Sequence, residues 1–431
     1  MDPILIGLFF FTGLIILLLS GISIAIGLGI VGLVTLLILG HGATLIAYTP
    51  WVTSNSFILT AIPLFVFMGE ILLHSGISEK IYRGASKYLA WAPGGLLHSN
   101  IGACSLFAAI SGSSAATAVT IGTVALPELK RRDYSERLSL GSLAAGGTLG
   151  VLIPPSITMI VYGAIAEVSV GRLFAGGIIP GVILSLMFMI YIGIRAVRNP
   201  KLAPKEKAFS SKDLLLGFAD LWPIFIIMSI VLGSIFTGFA TPTEAAALGA
   251  SGAIFIAIGY RRLTWHTLWL SLVNAVTTTC MVMFIVIGAT MVGSVLSLAG
   301  TAEALGLFIA GLEMSPVGIL IIVSLIYILL GCVMEGLSIV VVTTPVVLPA
   351  VVAIGFDPVW FGVLLVVLTE TGMLTPPVGI ILFIVQGMAA SKLDEVVMGA
   401  MPFFLILVLG LLLFIVFPSL VLWIPSLIFS S

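Results

Sequence analysis

Two matched segments of the chain carry residues that could bind a cation. They are GTLGVLIPPS at 147–156 and ETGMLTPPVG at 370–379, each inside an apolar stretch that is predicted to be helical. A proline has no amide hydrogen, so inside a helix it leaves the carbonyl four residues earlier without a donor. The carbonyls predicted to lack donors belong to Gly150, Val151, Gly372 and Met373. In lipid such a carbonyl is costly unless protein, water or an ion satisfies it.

Hydroxyl groups stand beside these freed carbonyls, on Thr148 in the first segment and on Thr375 in the second. Carbonyls of a broken helix together with a hydroxyl form a hard-oxygen site that suits sodium. The alternative is a proline kink whose carbonyls are satisfied by the threonine or by a packed neighbour. Because the arrangement occurs twice, we favour two cation sites.

A third segment, AAISGSSAATAVTIG at 108–122, concentrates hydroxyls and open backbone amides in a short stretch. The helix that begins there presents its N-terminus, which suits a carboxylate. The alternative is that Gly, Ser and Ala only allow close helix packing. The candidate substrate-binding residues are Ser111, Ser113, Ser114, Thr117, Ser156 and Glu335.

Carboxylates at membrane depth form a further group of candidates. Glu335 lies in GCVMEGLS at 331–338, and Glu370 begins the second proline segment. Acids in a membrane are costly and therefore usually functional; these two could bind protons, cap freed amides or neutralise a cation. Glu70 has His74 four residues later, so a local pair is expected there. Glu244 in TPTEAAA has the spacing of a helix N-cap.

The composition indicates what must position these residues. Hydrophobic residues make up 60% of 431 positions, 8% are charged, and the mean hydropathy is +1.30. A soluble domain is nearer half apolar and a quarter charged. We therefore expect an all-α integral membrane protein and no enzyme, since the sequence has no P-loop, GxSxG or HExxH motif. No basic arm suggests nucleic acid, and the cysteines have unrelated spacings.

Ten apolar segments are predicted to cross the bilayer as helices. They lie at 4–19, 21–39, 56–75, 138–168, 173–194, 221–240, 243–260, 271–299, 359–387 and 400–423. The first has no basic n-region and is interpreted as a retained span. Two more stretches, 96–126 and 317–349, are interrupted by Gly with Ser or Glu and are predicted to be re-entrant hairpins. If both stretches are re-entrant, 16 of the 17 basic residues lie on one side of the membrane, and Arg172 alone lies on the other. The positive-inside rule makes that side cytoplasmic and both termini periplasmic.

This topology predicts two inverted repeats, at 1–194 and 221–431, joined by a polar cytoplasmic linker at 195–220. Each repeat has about five spans, one hairpin (96–126 or 317–349) and one broken helix (138–168 or 359–387). The interval from Pro127 to Pro154 equals that from Pro349 to Pro376, 27 residues in both cases. Inverted repeats with broken helices are typical of secondary transporters.

Three motifs, GGLLHSNIGACSLFAAISGSSAATAVTIG, GTLGVLIPPSITMIVYG and ETGMLTPPVGIILFI, resemble the large membrane subunit of tripartite ATP-independent periplasmic (TRAP) transporters, the DctM-like family. The resemblance covers nearly the whole chain. It implies an elevator-type transporter of the ion-transporter superfamily with a sodium site where each hairpin tip meets a broken helix. The implied sodium ligands are Ser111, Gly112, Ser113 and Gly150 at one site and Gly336, Gly372 and Thr375 at the other.

The same resemblance implies uptake of a small organic acid across the bacterial inner membrane, coupled to two or more sodium ions. A periplasmic substrate-binding protein and a separate small membrane subunit of four spans are the expected partners, besides the lipid bilayer. One alternative is a stand-alone sodium–dicarboxylate symporter that needs no partner. A channel or scaffold subunit is the other, and the paired broken helices argue against it.

The topology predicts where introduced thiols react. In a cysteine-free background, Asp133→Cys is expected to label from the cytoplasm and Asp357→Cys from the periplasm, because the two hairpins open to opposite sides. Membrane-impermeant maleimide, added to intact cells or to inverted vesicles, makes the comparison. Labelling of both positions from one side would exclude inverted repeats.

Overall fold

In the computed structural model the described residues are 12–13, 16–17, 20–38, 42–204, 210–301, 304 and 314–429. They form α-helices, one short 3-10 helix at Pro200–Leu202 and no strand. The helices of the first part are α1 Ile24–Ile38, α2 Gly42–Ser54, α3 Ala61–His74, α4 Ile77–Leu89, α5 Leu96–Ser111, α6 Ser114–Arg131, α7 Glu136–Leu152, α8 Ile157–Ile165 and α9 Val170–Arg198. Those of the second part are α10 Ser211–Phe236, α11 Pro242–Gly259, α12 Trp265–Leu298, α13 Pro316–Gly331, α14 Gly336–Ala353, α15 Pro358–Met373, α16 Ile380–Ala389, α17 Leu393–Val416 and α18 Ser419–Ile428.

The predicted all-α membrane fold is confirmed. Among the described residues, seven helices are long and apolar enough to cross a bilayer, or up to eight if the bent pair α3 and α4 counts as one span. The predicted span at 4–19 lies largely outside the described residues. Predicted hairpin 96–126 corresponds to α5 and α6, and 317–349 to α13 and α14.

Two predicted connections are more helical than the sequence suggested. Helix α2 occupies a stretch between predicted spans, and the linker at 195–220 is entered by α9 from one end and α10 from the other. Helix α10 starts so early because Ser210 and Asp213 form a capping box, in which the Ser210 amide donates to the Asp213 carboxylate at 3.0 Å. Polarity alone had indicated a linker, whereas the cap extends the helix beyond the apolar segment.

Helix α4 leaves α3 at an angle of 74° and joins it to α5. Its apolar face, with Ile77 and Ile81, is buried. Arg83 and Lys87 on the same helix both bind the Asp220 carboxylate of α10, Arg83 through nitrogens at 2.9 and 2.5 Å and Lys87 at 3.1 Å. The amphipathic helix is thereby fixed to a second helix at its polar face.

Two helices, α7 and α15, are almost completely buried and organise the centre of the fold. Helix α7 packs against both arms of hairpin one (α5 and α6), and α15 packs against both arms of hairpin two (α13 and α14). Each is followed by a non-helical break, 153–156 or 374–379, and then by a short helix, α8 or α16. Helix α8 contacts α14 and α16 contacts α6, so each hairpin also meets the other broken helix.

A glycine pair brings α7 into backbone contact with α17. A Cβ added at Gly141 would collide with the carbonyl of Gly399, and one added at Gly399 would collide with the carbonyl of Arg137. Small residues at a crossing are what allow such close approach in membranes. The close crossing of α7 and α17 therefore requires glycine, which has no side chain, at both positions.

Gly399→Ala is expected to lower the thermal unfolding midpoint of the purified protein, because the new methyl meets backbone that cannot rotate away. Overpacking of this kind costs about 1–3 kcal/mol. Gly387→Ala on α16 is the matched control, since nothing lies within 4 Å of its added Cβ. Equal midpoints for the two variants would show that the helices can separate at this crossing without cost.

Candidate functional site

The tip of hairpin one is a left-handed turn between α5 and α6. Gly112 has φ +58°, and Ser113 caps α6 by accepting a hydrogen bond from the Ala116 amide at 3.4 Å. A Cβ at Gly112 would lie 3.0 Å from the Pro155 carbonyl oxygen. Glycine is therefore needed both for the turn and for contact with the break after α7.

Hydroxyl groups brace this tip from inside. Ser111 Oγ and Thr117 Oγ1 share a hydrogen bond of 2.8 Å, and the Ser113 carbonyl accepts from the Thr117 hydroxyl at 2.8 Å and from its amide at 3.0 Å. These bonds are all internal to the tip, so its own side chains brace the turn.

Tip one lies directly on the C-terminal turn of α7. A Cβ added at Gly150 would be 2.5 Å from the Ser113 carbonyl oxygen and 2.7 Å from the Ser114 Cα. Ser156, in the same break, is buried and caps α8 by accepting from the Met159 amide at 3.3 Å. The structure therefore brings together the predicted first group, which comprises Ser111, Gly112, Ser113 and Gly150.

Tip two meets the second broken helix through another set of glycines. Gly372 lies so close to Gly331 that an added Cβ would be 2.5 Å from the Gly331 Cα, and a Cβ at Gly336 would be 3.3 Å from Thr369 Oγ1. The Cys332 carbonyl accepts from the Gly379 amide at 3.1 Å. Gly336 and Gly372 are therefore both positioned where hairpin two touches α15, whereas Glu335, at the N-cap position of α14, is exposed.

The threonine hydroxyls are used differently from the prediction. Thr375 Oγ1 donates to the Thr371 carbonyl at 2.7 Å, and Thr148 Oγ1 donates to the Ala145 carbonyl at 2.7 Å. The Gly372 carbonyl, predicted to lack a donor, accepts from the Thr375 amide at 2.9 Å. That prediction was wrong because α15 tightens to a three-residue hydrogen bond at its end. The Thr375 oxygen keeps lone pairs that could face a cation.

Glu370 occupies the centre of this region. It is 2% exposed, and among the described residues neither its carboxyl oxygens nor the Ser114 hydroxyl, also 2% exposed, makes a hydrogen bond of normal geometry. Ser114 of hairpin one and Glu335 of hairpin two both lie within electrostatic reach of the Glu370 carboxyl. The sequence singled out Glu370 as a membrane acid, but only the fold shows that it stands between the two tips.

Two other acids named from the sequence, Glu70 and Glu244, have structural partners. The predicted Glu70–His74 pair is confirmed, with Nε2 and Oε2 3.2 Å apart, and the Asn274 amide of α12 also donates to Glu70 at 2.9 Å. No local sequence pattern pointed to Asn274, which lies far from Glu70 in the chain. The N-cap at Glu244 is confirmed by a capping box with Thr241.

A cavity of about 780 Å³ opens between α6, α7 and α16. Its polar lining includes Lys130, Asp133, Glu136 and Ser391. None of the predicted substrate or sodium ligands lines it, so it is separate from the two tips. The described residues also contain no group of three or more His, Cys, Asp and Glu side chains suited to a metal.

Sequence comparison connects this geometry with known proteins. The profile of the family described as "Tripartite ATP-independent periplasmic transporter, DctM component" matches residues 11–420. The large permease protein DctM of the C4-dicarboxylate TRAP transporter from Vibrio cholerae is 34% identical over 443 residues, which cover 96% of each chain. The isethionate TRAP transporter permease protein DctMQ from Oleidesulfovibrio alaskensis is 33% identical; 95% of this chain matches 64% of that longer one.

Two solved transporter structures share the fold at low identity. The YdaH transporter of Alcanivorax borkumensis superposes with a TM-score of 0.62 at 14% identity, covering 89% of this chain and 88% of that one. MtrF of Neisseria gonorrhoeae gives 0.55 at 11% identity, covering 89% and 85%. At these identities the likeness concerns the fold alone.

Proposed function

Because the chain belongs to the DctM family of large TRAP transporter permeases, we propose that it takes up a small organic acid across the bacterial inner membrane, coupled to sodium. In this proposal a periplasmic binding protein delivers the substrate and both termini face the periplasm. The observation that carries it is the pair of contacts at Gly150 and Gly372, where a hairpin tip lies on the end of a broken helix.

Sodium would bind at these two contacts. At the first, Ser111 and Ser113 offer a hydroxyl and a carbonyl beside Gly150; at the second, the backbone near Gly336 and Gly372 lies beside the Thr375 hydroxyl. Backbone oxygens at helix breaks are suitable ligands for a monovalent cation. Filling both sites would hold both tips closed, which links sodium binding to the conformation that carries substrate.

The substrate would sit between the tips. Ser114 and Thr117 belong to the first turn of α6, whose free amides and dipole favour an anion. The relatives are named for isethionate, C4-dicarboxylates and sialic acid, so an organic acid is the substrate class that fits best. Ser111, Ser113, Ser156 and Glu335 complete the proposed lining.

An elevator movement fits the packing. The hairpins and broken helices, α5–α8 and α13–α16, form one interlocked group around α7 and α15, while α1 packs on α12 and α11 on α3. We assign the first group to the moving domain and the second to the scaffold, with α4 connecting the two. The clamp of Arg83 and Lys87 on Asp220 would keep α4 attached to the scaffold side.

The partners follow from the relatives. The isethionate relative DctMQ is longer than this chain, which spans 64% of its length. We propose that a separate small membrane subunit of four spans takes the place of the part of DctMQ that this chain does not match. A stand-alone sodium–dicarboxylate symporter is the weaker alternative, since the similar proteins are named as TRAP transporter components.

Sodium coupling can be tested in proteoliposomes that contain the permease, its small subunit and the binding protein. Replacing an inward sodium gradient, at an inside-negative membrane potential, by a proton gradient should abolish uptake of radiolabelled substrate, because both proposed sites would require sodium. Uptake that persists without sodium would refute the proposed coupling.

Thr375→Val tests the second sodium site, since valine keeps the shape and removes the oxygen. The expected result is a rise in the sodium concentration for half-maximal uptake of about 5- to 150-fold, equivalent to losing a buried polar partner at about 1–3 kcal/mol. Thr277→Val on α12 is the control, because its hydroxyl also donates back to its own helix, to Val273 at 2.8 Å. If Thr375→Val lowers only the maximal rate, its hydroxyl serves the helix and not sodium.

A further inference from the structure

Helix α4 packs on α10 and reaches the end of α11 through a basic side chain. The Lys80 ammonium of α4 lies over the ring of Tyr260, which follows α11, with Nζ 3.2 Å from the ring centroid. Arg83 and Arg262 lie within electrostatic reach of the same ammonium. The Arg262 amide donates to the Ala257 carbonyl at 3.0 Å, which fixes the turn after α11. Lys80, Arg83 and Arg262 therefore form one positively charged surface, which we name the basic cluster.

The basic cluster carries more positive charge than the acids around it neutralise. Arg83 shares the carboxylate of Asp220 on α10 with a further cation, Lys87. The other acid within electrostatic reach of Arg83 is Glu79, which is exposed. Within the described residues, the remaining two members of the cluster have no carboxylate at ion-pair distance. The cluster is thus suited to an anionic ligand.

An apolar groove of about 550 Å³ leads away from the basic cluster along one face of α10. It is lined by Phe218, Trp222, Phe225, Ile226, Ser229 and Ile230. The five apolar side chains among these are each at least 38% exposed, so the described part of the chain leaves them uncovered. Trp222 joins the groove to the cluster, because its indole lies beside the Tyr260 side chain that carries Lys80.

The groove has the length that an acyl chain needs. By helical rise, Phe218 and Ile230 are about 18 Å apart along α10, and one leaflet of the hydrocarbon core is roughly 15 Å thick. Tryptophan and tyrosine are typical of the level where the headgroups begin, which is where Trp222 and Tyr260 separate the groove from the cations. The charged end and the apolar end of this surface are therefore arranged like those of a lipid.

These two surfaces together distinguish a lipid from other ligands. A free phosphate or carboxylate would use the cations alone, and a helix of a partner protein would need no cations at one end of the groove. Lysine and arginine beside a membrane attract anionic headgroups. We propose that the basic cluster and the groove bind one anionic glycerophospholipid, with its phosphate at Lys80, Arg83 and Arg262 and an acyl chain along α10.

Such a lipid contacts α4, α10 and the end of α11 at once. It adds a second link between α4 and α10 beside the clamp on Asp220, and it extends that link to α11 through Tyr260 and Arg262. The inference does not require sodium coupling or any particular substrate, because its test measures lipid binding and not uptake.

Quenching of tryptophan by brominated lipid tests the site. The purified permease with its small subunit, in detergent, is titrated with phosphatidylglycerol that carries bromine on its acyl chains. The fluorescence of Trp222, taken as the difference between the parent and Trp222→Phe, should be quenched to saturation. Phosphatidylcholine with the same brominated chains has no net charge, and it should require a concentration about tenfold higher or more because the cations gain nothing from it.

Charge variants show whether the basic cluster holds the headgroup. Lys80→Gln and Arg262→Gln should each raise the phosphatidylglycerol concentration for half-maximal quenching about fivefold, the effect of one cation at an anionic surface, and leave that for phosphatidylcholine unchanged. Lys80→Arg keeps the charge and should bind as the parent does. The matched control is Lys130→Gln, at an exposed lysine of α6 outside the cluster, which should change neither lipid.

Three results would overturn the inference. Equal half-maximal concentrations for the two headgroups, or unchanged values in both glutamine variants, would mean that lipid only coats an apolar surface. Displacement of phosphatidylglycerol by millimolar inorganic phosphate would identify a site for free anions. Quenching of Trp222 in the permease alone that disappears when the small subunit is added would identify the groove as a subunit interface.

Discussion

Inside a bilayer the lipid offers the backbone no hydrogen-bond partner, and the two helix breaks must therefore be satisfied by protein, by an ion or by water in a cavity. The breaks at 153–156 and 374–379 are covered by hairpin tips and by their own caps. Ser156 caps the helix after the first break, and the Gly379 amide in the second bonds to the Cys332 carbonyl of hairpin two. A tip that moved away would leave backbone groups exposed, which makes each tip and its break one structural unit.

The same constraint explains where glycine is required. At Gly150 and Gly372 a methyl group would enter the backbone of the opposing tip, and at Gly112 it would press on the Pro155 carbonyl. Such close approach also lets an amide and a carbonyl bond across the second break, as those of Gly379 and Cys332 do at 3.1 Å. The two units differ in how they are stiffened, since hydroxyls cross-link the tip of hairpin one while Glu335 makes no side-chain cap in hairpin two.

The sequence was informative wherever a local rule determined the structure. Prolines without amide hydrogens predicted both breaks, the Ser-Gly-Ser-Ser cluster predicted a tip, and i,i+4 spacing predicted the pair of Glu70 and His74. The sequence was less informative where a backbone group had a choice between two hydrogen-bond partners. The capping box at Ser210 extended a helix into the expected linker, and the Thr375 amide took the Gly372 carbonyl that the proline was expected to free. The partner Asn274 depends on tertiary packing, for which one sequence contains no local signal.

Burial and hydrogen-bond partners distinguish Glu70 from Glu370, although from the sequence both are simply acids at membrane depth. Glu70 is partly exposed and has two hydrogen-bond partners, His74 and Asn274. Glu370 is more deeply buried, and its carboxyl oxygens make no hydrogen bond of normal geometry within the part of the chain that the structure describes. A polar network that is fully satisfied stabilises one conformation, whereas an unsatisfied group favours whatever change supplies its partner. Glu370 is therefore the acid whose surroundings the proposed movement of the hairpins would change most, whereas Glu70 already has two partners in this structure.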